Sequence, residues 1–553
     1  MSTHKLSVIG VAAALAIALA GSVALVGQPA TDAEAKVDRA FDKWTASTPG
    51  CAVGVSVGGK PVLAKAYGMA DLEHDVKNTP ETIFEAGSVS KQFTAAAVLL
   101  LAREGKLSLD DPVRKYLPEV PDYGVPLTIR HLLNHTSGLR DWGSVAGIGG
   151  WPRGTRAYTH AHVLDIVSRQ RALNFTPGTR YSYSNTGYNL AAILVSRVSG
   201  MPFADFTRQR LFEPLAMTHT SWRDDHRRIV KGRAISYADG RDGIHTQMPF
   251  ENVHGNGGLL TTVGDLLKWN ENFVTPRVGD QAFIEEQQRP GRFNDGRAHG
   301  YALGLQVGDY QGVREVAHGG ATAGYRAYLS RYPDAHLSVA VLCNAGSVNP
   351  AQYANAVADV YLAGRLQPSP PPAIKHTLTA AEAEAAAGLY RDTVTGEPMT
   401  VLRTSNGLQI EDGPRLFPMS ATRFVSAGGD VLETGAAGSP TRRTDGYGSV
   451  YTYEKVPAAA PTVEKLREYV GTFASEDAEA VLKADLDGSS LVLKRRPDTT
   501  IRLTPLYADA FDGELGIIVF RREGGRVTAL SVVQGRVWDM RFAKQANVNP
   551  STQ

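Results

Sequence analysis

The chain carries almost no net charge. Its 58 lysines and arginines and 56 aspartates and glutamates leave a formal charge of +2, and no basic residues cluster along the sequence. Binding of nucleic acid requires a concentrated basic patch, so we predict no nucleic-acid partner. With 43% apolar and 21% charged residues, the composition is that of a soluble globular protein. At 553 residues the chain is too long for one hydrophobic core, and we expect two to four domains.

Cysteine is nearly absent. The two cysteines are Cys51, which begins the strand-like run CAVGVSV, and Cys343, which ends the strand-like run LSVAVLC. In an oxidising compartment they could form a disulfide if the two strands are neighbours. From the residues alone, two buried free thiols are the simpler expectation.

Motifs for metal catalysis are also missing. His131 and His135 are four positions apart on a predicted helix, but the run HLLNH lacks the glutamate of the H-E-x-x-H zinc motif. His160 and His162 are merely close to each other in the sequence. We therefore predict no catalytic metal and no cofactor.

A long uncharged run occupies the N-terminus, at residues 6–27. Small residues at 18–20 (ALA) and 22–24 (SVA) provide sites where cleavage could occur. Because alanine and glycine make the run weakly hydrophobic, a cleaved signal peptide and leader over residues 1–35 is favoured over a retained membrane anchor. Left uncut, the run is just long enough to span a bilayer. No cysteine follows closely, so a lipid anchor is not indicated. Either way we predict an exported protein, periplasmic or secreted.

The chain changes character at the proline-rich stretch GRLQPSPPPAI, residues 364–374, which is typical of a linker. Long helical patterns mixed with strands precede it, and short strand-like segments follow it. A second break, VPAAAPT, falls at residues 456–462. The predicted units are a catalytic domain at 36–365, a linker at 366–378, a first β-barrel at 379–456, a linker at 457–462 and a second β-barrel at 463–547.

The two predicted barrels are copies of one unit. LFPMSATRF (416–424) matches LTPLYADAF (503–511), and SVYTYEKV (449–456) matches RVWDMRFA (536–543), each at an offset of 87 residues. Repetition at this length indicates two small antiparallel β-barrels. Neither copy contains a recognisable catalytic constellation, so packing and shielding is the expected role, with ligand binding inside a barrel as the alternative.

The stretch GSVSKQF places Ser88 three positions before Lys91, at the start of an almost wholly apolar helical run that extends to Ala102. Positions i and i+3 share one face of a helix. The positive end of the helix dipole and the buried surroundings both disfavour the lysine cation. A neutral amine beside a hydroxyl can take its proton, which is one way to activate a serine. Gly105 provides a helix stop.

A rival nucleophile is Ser56 in GVSVG, which matches the G-x-S-x-G elbow. The elbow needs a strand followed by a sharp turn into a helix. Here two strand-like runs meet at Gly58 and Gly59, which predicts a hairpin with Ser56 as an ordinary mid-strand residue.

Two further motifs supply the groups that acyl transfer needs. Tyr183 and Asn185 precede a second buried helical pattern, and His318 stands before Gly319 and Gly320. Glycines let a substrate backbone lie close to a strand edge. The backbone amides of Ala321 and Ser88 could then form an oxyanion hole.

Ser88-x-x-Lys91, Tyr183-x-Asn185 and His318-x-Gly320, in this order, resemble the β-lactamase-related serine hydrolases: class C β-lactamases, DD-peptidases, D-aminopeptidases and family VIII esterases. LTIRHLLNHTSGLRDW and GNGGLLTTVGDLLKW support the likeness. It implies an α+β fold, with a five-stranded antiparallel sheet flanked by helices and a largely helical second lobe. It also implies that the first and last strands are adjacent, which favours a disulfide between the two cysteines.

The resemblance also implies roles. Ser88 would be acylated, Lys91 would accept its proton and Tyr183 would relay protons to the leaving group and from water. Asn185 would hold a substrate amide. The amide of Ala321 would pair with that of Ser88 in the oxyanion hole.

The sequence departs from the family where β-lactamases and DD-peptidases usually carry lysine in a K-T-G triplet. His318 is mostly neutral at pH 7 and is not a fixed cation for a substrate carboxylate. This disfavours strong β-lactam hydrolysis and favours esters, amides or peptides cut near a free amine. Paired barrels also follow the catalytic domain in D-aminopeptidases. We therefore expect D-aminopeptidase or amidase activity on a small-molecule or short-peptide substrate. Carboxylesterase, weak β-lactamase or a non-turnover peptidoglycan- or penicillin-binding sensor are the alternatives.

Overall fold

The computed structural model describes residues 32–546 apart from 369, 406 and 436–438. The predicted signal peptide, up to residue 31, lies outside the described residues. Within the described residues, no helix combines the length and apolar character needed to cross a bilayer.

Residues 32–35, assigned to the leader from the sequence, begin the first helix of the fold, Asp32–Ala40. This helix packs against helix Pro350–Tyr361. Asp38 also accepts hydrogen bonds at 2.9 Å from the ammonium of Lys65 on the adjacent sheet. The start of the described chain is thereby part of the catalytic domain.

A six-stranded antiparallel sheet forms the centre of the catalytic domain, one strand more than the resemblance implied. The edge strand Gln306–Tyr310 pairs with Val313–Thr322. In spatial order the strands are Gln306–Tyr310, Val313–Thr322, Tyr325–Tyr332, Leu337–Cys343, Cys51–Val57 and Lys60–Tyr67.

The first and last long strands are adjacent, as predicted. Cys51 lies opposite Cys343 in the register, and the two form a disulfide. Ser56 is a mid-strand residue opposite Ser338, and the chain turns back directly after this strand at Gly58 and Gly59. Both glycines have positive φ, 57° and 75°, which the tight hairpin requires. Ser56 therefore does not lie in a strand–turn–helix elbow, because a second strand follows the turn.

Helices cover the sheet and build the second lobe. The helix Lys91–Arg103 is buried from Lys91 to Leu101 and packs against Asn185–Ser199, which agrees with its apolar pattern. Burying each large apolar side chain contributes about 1.5–3 kcal/mol. The remaining α-helices of this domain are Ile129–Leu133, Trp142–Ile148, His160–Ser168, Phe203–Thr207, Val263–Glu271 and Gln281–Gln288.

Shorter elements complete the catalytic domain. Its 3₁₀ turns are Gly87–Ser90, Val113–Lys115 and Pro333–Ala335, and a π-helical turn is Arg208–Phe212. Its short strands are Met69–Asp71, Val76–Lys77, Phe84–Glu85, Ser221–Trp222, Tyr237–Gly240, Gly243–Thr246 and Leu259–Thr261.

The first C-terminal unit is a closed eight-stranded antiparallel barrel preceded by helix Ala380–Ala386. Its strands are Gly388–Asp392, Pro398–Thr404, Gly407–Ile410, Arg415–Pro418, Arg423–Val425, Val431–Glu433, Thr441–Thr444 and Val450–Lys455.

The second unit repeats this plan after helix Val463–Arg467, as a curved nine-stranded sheet. Its strands are Gly471–Ser475, Ala480–Asp487, Ser490–Arg495, Thr499–Arg502, Thr504–Pro505, Ala510–Gly513, Gly516–Glu523, Arg526–Gln534 and Val537–Lys544. Its last strand begins 87 residues after the last strand of the first barrel, which is the offset found in the sequence.

Candidate active site

Ser88 lies in the 3₁₀ turn Gly87–Ser90, directly before the helix that begins at Lys91. The turn rests against the sheet so closely that glycine is required. Gly87 has φ of 50°, and a Cβ added to it would lie 2.6 Å from the amide nitrogen of Ala321. Ser88 itself is partly exposed, which leaves its hydroxyl open to a cavity.

The side chain of Lys91 is fully buried. Its Nζ lies 3.0 Å from Ser88 Oγ, 3.0 Å from Asn185 Oδ1 and 2.8 Å from the carbonyl oxygen of Asn256. Burial, followed by the positive charge of Arg536, lowers the pKa of Lys91 well below its usual range. The two carbonyl oxygens can only accept hydrogens, so the neutral amine donates its two hydrogens to them. Its lone pair is then left for the Ser88 hydroxyl.

Tyr183 and Asn185 also lie next to Lys91. The ring of Tyr183 has its centre 4.8 Å from Lys91 Nζ. Burial raises the pKa of Tyr183 above its usual range, an effect that a hydrogen bond with Ser88 partly offsets. Asn185 starts helix Asn185–Ser199, and its backbone N–H donates to Asp141 Oδ2 at 2.7 Å. The phenol therefore stays protonated, available as an acid next to the serine.

Gly320 and Ala321 lie at the end of strand Val313–Thr322, against the serine turn. A Cβ on Gly320 would fall 2.0 Å from the carbonyl oxygen of Ala86 and 3.0 Å from the amide nitrogen of Ser88. The sequence predicts that this glycine lets a substrate backbone lie close to the strand edge. The structure gives a different reason, since the serine turn already occupies that space. The same contact brings the amides of Ser88 and Ala321 to one end of the cavity.

His318 lies within the same strand, with both ring nitrogens engaged. Its Nδ1 donates to the Gly319 carbonyl at 2.6 Å, because that oxygen can only accept, and its Nε2 accepts from the Tyr301 hydroxyl at 2.9 Å. Burial, assisted by the charge of Lys91, lowers the pKa of His318 to about 3. The imidazole is therefore neutral at physiological pH and does not replace the lysine cation of a K-T-G triplet.

These side chains line a cavity of about 490 Å³. All seven residues predicted from the sequence lie at this one site, and all but the buried Lys91 contribute to the cavity wall or its rim. Ser56 is absent from the described lining. The described lining contains arginine but neither aspartate, glutamate nor cysteine, so it offers no set of metal ligands. A cluster that could hold an ion, Asp71 with Glu73 and His74, lies elsewhere and mostly exposed.

Several residues of the site were not found from the sequence. Asn256 holds Lys91, and Asp141 holds Asn185. Both lie in phrases that supported the family resemblance, but no spacing rule points to either. His135 was predicted on a helix with His131. That prediction is wrong, because the helix ends at Leu133.

The chain at His135 adopts φ of 59°, and the ring packs 4.2 Å from that of Tyr183. Its Nδ1 accepts a hydrogen bond from the backbone N–H of Ser184. Burial, followed by the charge of Lys91, lowers the pKa of His135 well below its usual range. This histidine therefore packs against Tyr183 and supports its ring.

Both barrels contact the segment that carries Tyr183, and the second one also reaches the cavity wall. Tyr447 of the first barrel stacks on Tyr181 at 4.2 Å, next to Tyr183. Arg536 of the second barrel enters the cavity wall, with its guanidinium carbon 5.0 Å from the centre of the Tyr183 ring. Nothing in the sequence signals this contact, since more than 350 residues separate the two side chains.

This fold and site define a class of protein. The beta-lactamase family profile matches residues 37–363, and the chain belongs to that family. Two C-terminal β units follow the family domain.

Among similar proteins, a D-aminopeptidase from Brucella ovis is 32% identical over 300 residues, which cover 54% of this chain and 56% of the relative. Penicillin-binding protein 4* from Bacillus subtilis is 31% identical over 304 residues, 52% of this chain and 66% of the relative. The chain thus spans between about half and two thirds of these relatives. The octameric penicillin-binding protein homologue from Pyrococcus abyssi has the same fold over 93% of this chain and 99% of its own (TM-score 0.53, 21% identity).

Proposed function

We propose that the protein hydrolyses amide and peptide bonds of short D-amino acyl substrates through an acyl-enzyme on Ser88, as a D-aminopeptidase or D-amidase. One observation carries the reaction type: a buried lysine amine within 3.0 Å of the serine hydroxyl, with its hydrogens directed to Asn185 and Asn256. This arrangement leaves the amine lone pair available as a base.

In the first half-reaction, Ser88 Oγ attacks the substrate carbonyl carbon while Lys91 takes the hydroxyl proton. The amides of Ser88 and Ala321 donate to the developing oxyanion, a type of contact typically worth about 3–4 kcal/mol per donor. Tyr183 gives its proton to the leaving nitrogen as the carbon–nitrogen bond breaks, and the proton on Lys91 restores the phenol. The amine departs, and the acyl group stays on Ser88.

In the second half-reaction, water attacks the acyl carbonyl from the side the amine left. Tyr183 passes its proton to the neutral Lys91 amine as it takes one from the water, and Lys91 then gives that proton to Ser88 Oγ as the ester bond breaks. Asn185 Oδ1 accepts a hydrogen bond from Lys91, and this orients the side chain so that its NH₂ group faces the substrate. The products are a carboxylic acid and an amine, and no cofactor is consumed.

The D-amino acyl preference is supported by the likeness to the Brucella ovis D-aminopeptidase. The neutral His318 supports amide and ester substrates over β-lactams, because it provides no fixed cation at that position. We also propose that the protein works outside the cytoplasm. The Cys51–Cys343 disulfide supports this, since such bonds persist in oxidising compartments.

A chromogenic panel on the purified protein tests the proposal. It comprises D- and L-alanine p-nitroanilide, N-acetyl-D-alanine p-nitroanilide, p-nitrophenyl butyrate and a chromogenic cephalosporin. The expected result is preferred turnover of the free-amine D-anilide. Turnover of the ester alone would replace the proposal by a carboxylesterase. A burst of product with no steady turnover on any substrate would replace it by a penicillin- or peptidoglycan-binding sensor.

A further inference from the structure

The turn before the last strand of the second barrel is built into the catalytic cavity. In this turn, the backbone carbonyl oxygen of Arg536 accepts hydrogen bonds from the backbone N–H of Asp141 at 3.3 Å and from Asn174 Nδ2 at 3.1 Å. The backbone N–H of Trp538 donates back to Asn174 Oδ1 at 3.0 Å. The Trp538 ring packs on Phe175, with centres 4.9 Å apart. Arg536 is therefore fixed at its backbone by the catalytic domain.

The equivalent turn of the first barrel also docks beside the catalytic residues, but without a charge. Ser449 stands 87 residues before Arg536, at the matching position of the repeat. Its hydroxyl accepts from the backbone N–H of Tyr181 at 3.0 Å. Both barrels thus use the same turn to approach the Tyr181–Tyr183 segment. At the matched position of this turn, the first copy has Ser449 and the second has the cation Arg536.

The described cavity wall contains three arginines and no carboxylate. Arg153 is already paired with Glu251, through Nε at 3.0 Å and a second hydrogen bond from Nη2. Arg326 donates to two backbone carbonyl oxygens at its own turn. Arg536 differs from both. Within the described residues its guanidinium donates no hydrogen bond, and the nearest carboxylate oxygen, Asp141 Oδ2, is 4.0 Å away.

Asp141 is poorly placed to satisfy Arg536, because its oxygens are in use. Its Oδ1 accepts from the backbone N–H groups of Gly143 and Ser144, and its Oδ2 accepts from that of Asn185. The planar fork of Arg536, with 44% of the side chain exposed, is therefore free to bind an incoming anion. A guanidinium matches a carboxylate with two parallel hydrogen bonds.

We propose that Arg536 binds a carboxylate on the leaving group, so that the second barrel makes the enzyme select short peptides with a free C-terminus. The leaving-group side follows from Tyr183, which lies beneath the guanidinium and protonates the departing nitrogen in the proposed mechanism. The cation absent at His318 is thus supplied from another domain. The inference rests on the proposed peptide hydrolysis and names its substrate class.

The test compares two substrates that differ in one group, D-alanyl-D-alanine and D-alanyl-D-alanine amide, with free alanine or alanine amide quantified by chromatography. Wild type, Arg536→Gln and Arg536→Lys are measured. Arg541→Gln is the matched control, since Arg541 lies on the strand that directly follows Arg536, is absent from the described cavity lining and has a 72% exposed side chain. Differential scanning fluorimetry on each variant reports folding.

Wild type is expected to favour the free acid over the amide by about tenfold or more in kcat/KM, the size of one hydrogen bond to a charged group. Arg536→Gln brings that ratio close to one, Arg536→Lys retains part of it and Arg541→Gln leaves it unchanged. The inference is overturned, while peptide hydrolysis stands, if wild type has the same kcat/KM for the free acid and the amide. It is also overturned if Arg536→Gln keeps the wild-type preference for the free acid. If wild type cleaves neither of these substrates and none of the anilides, the proposed function and this inference are overturned together. If Arg536→Gln does not fold, the inference is tested by the preference of wild type for the free acid and by the partial loss of that preference expected in Arg536→Lys.

Discussion

Lys91 Nζ lies 3.0 Å from Ser88 Oγ, and its two other hydrogen-bond partners are carbonyl oxygens that can only accept. The amine is thus oriented as well as buried. Replacing Lys91 by alanine should lower the rate of acylation by about 10²–10⁴-fold, the usual contribution of a general base. Stopped-flow single-turnover measurement with the preferred anilide checks this. An acylation rate within tenfold of wild type would show that another group takes the proton.

The pH dependence of the reaction should show one acid limb that belongs to Lys91. The base works in its neutral form, which exists above its pKa, so activity falls as the pH drops through that lowered pKa. Burial raises the pKa of Tyr183, so no alkaline loss from this phenol is expected below about pH 10. The profile of kcat/KM for p-nitrophenyl butyrate, corrected for spontaneous hydrolysis, measures the limb.

The variant His318→Gln tests whether the acid limb of the pH profile comes from Lys91 or from His318. Because burial holds the pKa of His318 at about 3, the imidazole is already neutral across the assayed range. The acid limb should therefore remain with its midpoint in place. Its disappearance would mean that the histidine, not the lysine, titrates.

Gly320→Ala should both destabilise the protein and impair catalysis, because its new Cβ would meet the Ala86 carbonyl oxygen at 2.0 Å. Overpacking of this kind typically costs about 1–3 kcal/mol. Displacing an oxyanion donor lowers kcat by about 10²–10³-fold. Gly319→Ala is the matched stability control, since its nearest contact would be an ordinary 3.6 Å. Equal melting temperatures for the two variants would contradict the crowding argument.

Loss of the disulfide should lower stability without removing the active site. Cys51 and Cys343 are separated by 292 residues, and closing so long a loop restricts the unfolded chain. The double variant Cys51→Ala/Cys343→Ala should lose about 2–5 kcal/mol of unfolding free energy. The described cavity lining includes neither cysteine, so activity at 25 °C should persist. Chemical denaturation and the anilide assay measure the two effects. An unchanged midpoint would contradict the prediction.

Local patterns predicted the parts of the site that are close in sequence. Ser88 and Lys91 share one helical turn, so their contact follows from spacing. The glycine pair after Ser56 specified a hairpin, and the repeat offset located the barrels. The disulfide followed once the family likeness placed the first and last strands side by side.

Contacts between distant segments were beyond such patterns. Asn256 and Asp141 reach the site through tertiary packing, with no periodicity that connects them to Lys91 or Asn185. Arg536 was assigned to a barrel expected to pack and shield, but the domain arrangement brings it over Tyr183. Spacing also misplaced His135, since nothing in the run HLLNH signals that the chain leaves the helix before this residue.

The most direct test of the account is to locate the acyl group on the chain. The protein is mixed with p-nitrophenyl butyrate, quenched in acid and digested, and the peptides are mapped by mass spectrometry. The account predicts a butyryl group on Ser88 in wild type and in Ser56→Ala, and neither adduct nor turnover in Ser88→Ala. An adduct on another residue, or turnover that survives in Ser88→Ala, would contradict it.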